Sequence, residues 1–340
     1  MNNRQNTVDP SPIFKLSTAY WDSKVILTAN RLNIFTLLDK GPLSCEELAK
    51  QCKSHPRSLG ILLNACVGLE LLKKESNGAY SNVPVTQTYL VQGKQGYLGD
   101  ALKYSDDLFP VWDQLHESIQ HNRPAMPPEI QLGDDTDKTR HFVMGMHNKA
   151  LGIGRCFADE QNLEGRKKLL DVGGGPGTYS ILLAQKTPGL TSTVLDLPGV
   201  LKISKEIIGS YGLEDRVKTI EGDYTRDAFP KGNDVVLLAG MLHRETPETF
   251  KTLLKNAYGA LQPGGMIILN DLFFENDNMD SPPFVNMFAL TMLLTSTHGT
   301  IHSKTSAEKW LSEAGFIQVN SKPLPPPMPH LVITAIKEKD

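Results

Sequence analysis

From residue 166 onward the chain alternates between short apolar runs and amphipathic stretches. The runs are LLDVG, TSTVLD, RVKTIEGD, DVVLLAGML and MIILNDLF, of which the first, fourth and fifth are dense in Val, Ile and Leu. Near-continuous apolar runs of this length mark strands buried on both faces. The stretches between them, 178–186, 200–211 and 247–261, carry apolar residues at helical spacing. This alternation predicts an α/β fold with a doubly wound, mostly parallel sheet. A helix over 306–314 and final strands at 317–321 and 331–336 add an antiparallel hairpin at one edge, for seven strands in all.

Upstream the pattern is helical. Residues 1–12 read as unstructured, and 12–38 carry helical spacing up to Lys40-Gly41-Pro42. Ser44 reads as an N-cap, with Glu47 completing a capping box. A helix at 59–69 and a hairpin over 71–90, turning at Asn77-Gly78, complete a winged-helix outline. Such a domain binds DNA through a polar second helix. Here that helix offers only Arg57 and Asn64, which favours a packing or dimerisation module. Two more helical stretches, 97–120 and 136–160, flank a proline-rich connection. They carry Trp112 and His116, then His141, Met144, Met146, His147, Asn148 and Arg155. The resulting domains are 1–95, a helical linker 96–164, and 165–340.

Composition narrows the classes. The net charge is -3 and the pI about 6.3, so nothing global favours nucleic acid or an anionic membrane. The four cysteines are scattered and read as reduced thiols of a cytoplasmic protein. No apolar run is long enough to span a bilayer. His298 and His302 are four apart, but no carboxylate or cysteine supports them, so no metal is expected.

The candidate chemistry lies at strand ends, where ligands of such sheets bind. The first strand ends at Asp171 and runs into Gly173, Gly174, Gly175, Pro176 and Gly177. Glycines there let the backbone turn and let a ligand approach a helix N-terminus. The second ends at Asp196-Leu197, about 20 residues past the turn, where an acid binds ribose hydroxyls. The third ends at Asp223-Tyr224, suited to an adenine amino group and ring. The fourth ends at His243, followed by Arg244 and Glu245. GGGPG is not the dinucleotide spacing, and a dinucleotide site has no use for the acid after the third strand.

With LLDVGGGPG, LDLPGV, EGDYT, the spacing from His243 to Pro263-Gly264-Gly265, and SEAGF, the chain resembles the class I S-adenosylmethionine-dependent methyltransferases. Within that class it resembles the plant caffeate and hydroxyindole O-methyltransferase type and its bacterial relatives, over nearly its whole length. The resemblance implies a cofactor site at Asp171, Gly173, Gly175, Asp196, Leu197, Asp223 and Tyr224. It places His243 at the base position and Met146 beside a small-molecule acceptor. Trp112, His116, His141, Met144 and His147 are the other candidates to face that acceptor. It implies a homodimer, for which the apolar succession Val25, Ile26, Leu27 and Ala29 also argues.

Two departures stand out. The family has His-Asp-Trp where this chain has His243-Arg244-Glu245. The plant glutamate that orients the histidine falls on Ile301, leaving Asp271 as the candidate partner. A base is needed for a hydroxyl acceptor and not for a thioether, so S-methylation of a small thioether acid is the alternative. A DNA-binding regulator is the non-enzyme alternative.

Overall fold

The computed structural model describes residues 8–279 and 283–339. Residues 1–7 of the stretch expected to be unstructured lie outside these. The chain divides into two compact units, 1–106 and 107–340.

In the first unit the stretch expected as one helical run is three helices: α1 (Ser11–Thr18), α2 (Tyr20–Arg31) and α3 (Ile34–Leu37). Helix thus begins inside the segment read as unstructured. Asn33, with φ of +58°, breaks the run between α2 and α3. α4 (Cys45–Gln51) starts on the expected capping box: Ser44 Oγ accepts the Glu47 N–H, and Glu47 Oε2 accepts the Ser44 N–H at 2.7 Å. α5 (Pro56–Gly68) leads to a short hairpin, β1 (Leu72–Lys74) and β2 (Tyr80–Asn82). The expected hairpin ends early, because Pro84 opens α6 (Pro84–Tyr89) as its first residue. Asn64 stays exposed, its Oδ1 accepting the Tyr80 hydroxyl at 2.9 Å. Ala29, Ile34, Phe35, Leu48, Leu59 and Leu63 form the core of this unit.

α7 (Gly99–Trp112) crosses the division between the units, with Pro110 inside it. The expected single stretch then breaks, and α8 (Leu115–His121) follows. A π-helical turn at Ile130–Asp134 precedes α9 (Thr136–Glu160), capped by Asp135 Oδ1 on the Lys138 N–H at 2.9 Å.

Next come β3 (Lys168–Val172), α10 (Thr178–Lys186), β4 (Thr191–Asp196), α11 (Pro198–Ser210), β5 (Val217–Glu221), β6 (Asn233–Ala239), α12 (Pro247–Ala260) and β7 (Leu261–Asp271). The chain closes with α13 (Pro283–Thr295), α14 (Lys304–Glu313), β8 (Phe316–Pro323) and β9 (Leu331–Lys337). The seven strands lie in the order β5-β4-β3-β6-β7-β9-β8. β3 to β7 are parallel, and β9 runs antiparallel to both β7 and β8. The seven-stranded, mostly parallel fold expected from the alternation is therefore present. α13 is an addition: PFVNMFALTMLL is apolar on almost every side and so has no stripe to read.

Alternate residues of each strand supply the two cores. Leu170, Val172, Val236, Leu238, Ile267 and Leu269 pack with Phe250 of α12 and Leu311 of α14. Leu169, Val235, Leu237 and Ile268 pack on the other face with Phe157 of α9 and Leu183 of α10. Sequence order runs outward from β3 through β4 to β5, then restarts at β6 on its other side. Strand ends on the two sides of that switch face one crevice.

Candidate active site

β3 runs straight into the glycine turn. Gly173, Gly175 and Gly177 have φ of +61°, +53° and +73°, a region that strongly favours glycine. The Gly173 N–H is held by the Leu195 carbonyl at 2.8 Å, and the Gly175 N–H by Asp196 Oδ2 at 2.7 Å. The other oxygen, Oδ1, accepts the Leu197 N–H at 2.7 Å. Asp196 thus ties the end of β4 to the turn. Its burial raises its pKa, while those two N–H groups and the Arg244 charge oppose the rise.

A Cβ at Gly175 would project into open space; one at Gly173 would lie 3.1 Å from the Tyr224 ring. The turn is therefore open on one side and walled by an aromatic ring on another. Asp171 is placed differently from the other candidates. It is fully buried beneath the turn, and a Cβ on Gly174 would come within 2.6 Å of its carboxyl carbon. Ser180 donates to its Oδ2 at 2.6 Å, and its Oδ1 has no partner among the described residues. Burial pushes the group up to about 7. Asp223 Oδ1 accepts from the Thr225 N–H at 2.9 Å and the Thr225 hydroxyl at 2.6 Å. The Tyr224 hydroxyl donates to Glu245 Oε1 at 2.8 Å.

β6 ends at Ala239, and Gly240, with φ of +67°, redirects the chain into a 3-10 turn, Leu242–Arg244. His243 Nδ1 lies 2.6 Å from Asp271 Oδ1 at the end of β7. Asp271 also accepts the Leu272 N–H at 2.7 Å and, through Oδ2, the Leu242 N–H at 2.9 Å. Burial alone would raise this carboxyl, but the His243 charge, the His243 hydrogen bond and the Leu272 N–H hold it below its ordinary value. A carboxylate on Nδ1 fixes the proton there and leaves Nε2 as the basic nitrogen. Ile301, at the plant glutamate's position, is buried. Its neighbour His302 meets the Glu245 carbonyl through Nε2 at 3.0 Å, steadying the turn rather than His243 itself.

The acceptor candidates sit in different settings. Met144 is half-buried and packs against the core that includes Val143, Ile181 and Val200. His147 is buried, with Nδ1 2.8 Å from Thr178 Oγ1. His141 Nδ1 meets Asp107 at 2.7 Å. His116 is exposed, while Trp112 and Met146 are half-buried. Sequence reasoning missed α13. Its Phe288 stands edge-to-face with His243, ring centroids 4.8 Å apart, and stacks at 6.4 Å on Phe284, which is 57 % exposed. Nothing in the periodicity of so uniform a stretch could have singled these rings out.

The glycine turn, the acid tied to it, the tyrosine wall and a histidine at the neighbouring strand end, on this sheet order, define a class I S-adenosylmethionine-dependent methyltransferase. Residues 112–317 match the O-methyltransferase domain model and residues 14–92 the O-methyltransferase dimerisation domain model. The chain belongs to the O-methyltransferase family. It is 30 % identical to the tetracenomycin polyketide synthesis 8-O-methyl transferase TcmO of Streptomyces glaucescens, over 92 % of this chain and 93 % of that protein. It is 29 % identical to the N,N-dimethyltransferase OxyT of Streptomyces rimosus, over 89 % and 90 %. Human N-acetylserotonin methyltransferase, solved in complex with SAM, superimposes over 100 % of both chains with a TM-score of 0.88 at 24 % identity, a likeness of fold. A dimerisation module at the N-terminus accords with an enzyme and not with the DNA-binding alternative.

Proposed function

We propose that this enzyme methylates the hydroxyl of a small aromatic compound, with His243 as the base and Asp271 as its orienting partner. The observation that carries the reading is the His243–Asp271 contact at the mouth of the crevice, between β6 and β7. A thioether acceptor would give that pair nothing to do. The stacked Phe284 and Phe288 beside the imidazole favour a flat, apolar acceptor.

The residues present fit the cofactor: a glycine turn with open space at Gly175, and a buried acid at Asp196. Gly173 and Gly175 would let it approach, Asp196 would take the ribose hydroxyls, and Leu197, Asp223 and Tyr224 would line the adenine. Asp171, beneath the turn, would support it from below. When bound, the cofactor supplies a methyl group on a sulfonium, a leaving group that needs no protonation. The protein's part is alignment and removal of the acceptor proton by His243 Nε2.

The experiment is to offer S-adenosylmethionine with matched hydroxy-, amino- and methylthio-substituted aromatic compounds and to follow methylated product by mass. Product from the hydroxy compounds alone supports the reading; product from the methylthio compounds alone sinks it. In calorimetry, Asp196→Ala should weaken S-adenosylhomocysteine by about 1.5–3 kcal/mol, the worth of hydrogen bonds to a charged group. Unchanged affinity would remove Asp196 from the site.

The same reading makes the enzyme a homodimer in the cytoplasm. Of the apolar run that first suggested association, Leu27 and Ala29 are buried within their own unit. The apolar surface that remains is Ile13, Phe14, Leu16, Tyr20 and Trp21 on α1 and α2, each more than half exposed. Light scattering should give a dimer at micromolar concentration, and Phe14→Glu with Leu16→Glu should shift it to monomer. A wild-type monomer with full activity would refute this.

A further inference from the structure

Glu245 stands where the family's tryptophan would be, and its side chain and backbone make separate connections. The side chain accepts the Tyr224 hydroxyl at 2.8 Å. The backbone carbonyl meets His302 Nε2 at 3.0 Å, and the backbone N–H closes the 3-10 turn on the Leu242 carbonyl at 3.1 Å. The turn so closed carries His243. It is also fastened by the Leu242 N–H on Asp271 Oδ2 at 2.9 Å, by His243 Nδ1 on Asp271 Oδ1 at 2.6 Å and by the Ser296 hydroxyl on the Arg244 carbonyl at 3.3 Å. At the far end of the chain of contacts, the Tyr224 ring is packed on the cofactor turn. A Cβ at Gly173 would lie 3.1 Å from that ring and 3.4 Å from Met241 Cγ, two residues before His243. The path from the glycine turn to the histidine turn is thus one ring, one hydroxyl and one carboxylate.

We propose that Glu245 is a positioning residue that couples the cofactor site to the base, so that a ligand seated on the glycine turn tightens the 242–245 turn through Tyr224. This rests on the cofactor reading above. The physical argument is that the Tyr224 ring bounds the space a ligand on the turn would fill. Fixing the ring fixes its hydroxyl, and a hydrogen bond to a carboxylate is strong enough to transmit that restraint. Burial raises the Glu245 pKa, and the Tyr224 hydroxyl opposes the rise, as expected where the hydroxyl serves the charged form. Gln at 245 would keep an acceptor for the hydroxyl; Leu would not. Phe at 224 would keep the wall and lose the link.

The test is hydrogen exchange followed by mass spectrometry, with saturating S-adenosylhomocysteine as the probe. Peptides over 172–180 report on the cofactor turn and peptides over 241–246 on the base turn. In the wild type both should slow, the second by about 10-fold, the scale of one ordinary hydrogen bond. In Tyr224→Phe and Glu245→Leu the first should still slow and the second should change less than about twofold. Glu245→Gln should behave as the wild type. Equal protection of 241–246 in Tyr224→Phe would overturn the coupling. So would a Glu245→Gln variant as uncoupled as Glu245→Leu. If the probe slows neither peptide in the wild type and calorimetry shows no binding, the cofactor reading fails and the coupling with it. Protection of 172–180 alone in the wild type would overturn the coupling and leave the cofactor reading standing.

Discussion

Replacing His243 with alanine should lower turnover on a hydroxyl acceptor by about 10²–10⁴, the range for a positioned general base. The variant should bind S-adenosylhomocysteine as the wild type does, because His243 is on the β6 side of the crevice and Asp196 holds the turn from the β4 side. Asp271→Asn should fall by about 10² or more. The amide would present either an oxygen that cannot carry the charge of an imidazolium or an N–H that opposes the Nδ1 proton. It would also weaken the Leu242 and Leu272 N–H contacts that Asp271 now accepts. His243→Gln separates the two roles open to this residue. Gln can hydrogen-bond the acceptor but cannot take its proton at neutral pH. Steady-state rates with the hydroxy compound identified by product mass decide the matter. A His243→Gln enzyme with most of its activity would leave the histidine only a positioning role and would remove it as the base.

Much of this was legible in the sequence because it depends on local rules. Strands buried on both faces announce themselves as Val, Ile and Leu runs, and glycines at positive φ announce the turn. The capping box at Ser44 follows from a side chain three residues away. What was not legible depends on contacts across the fold. Met144 looks the same in sequence whether it faces a crevice or, as here, is half-buried against the core around α10 and α11. Glu245 gives no sign that its partner is Tyr224, 21 positions earlier. α13 could not be read because periodicity carries information only where one side of a helix is wet. The chemistry was half visible for the same reason. His243 could be placed by its strand, but its carboxylate is 28 positions away and adjacent only because β6 and β7 pair in parallel.

The second large effect expected is on stability, at Asp171. Its folded pKa is about 7 against an ordinary 3.8, because it is fully buried and only one oxygen has a partner among the described residues. Burial is the main cause; the Ser180 hydroxyl opposes the rise and the nearby Asp196 charge adds to it. The sign follows from linkage. Where the folded pKa is raised, the stability advantage of the neutral form is fully present below the unfolded pKa. It is lost progressively as pH rises toward 7 and stays lost above. A rise of about three units corresponds to about 4 kcal/mol. Asp171→Asn removes the ionisation and keeps an oxygen for the Ser180 hydroxyl. The variant should therefore match the wild type near pH 4 and exceed it at pH 8, by up to about 4 kcal/mol. Asp271 works in the opposite sense: its depressed pKa favours the fold above its unfolded pKa and is lost in acid, and it is common to both proteins. The difference between the two unfolding curves therefore isolates Asp171. Denaturant titrations at half-unit steps from pH 4.5 to 8, without cofactor, measure it. A difference that stays flat across that range would mean that Asp171 remains ionised in the folded chain and that water or a cation reaches its second oxygen.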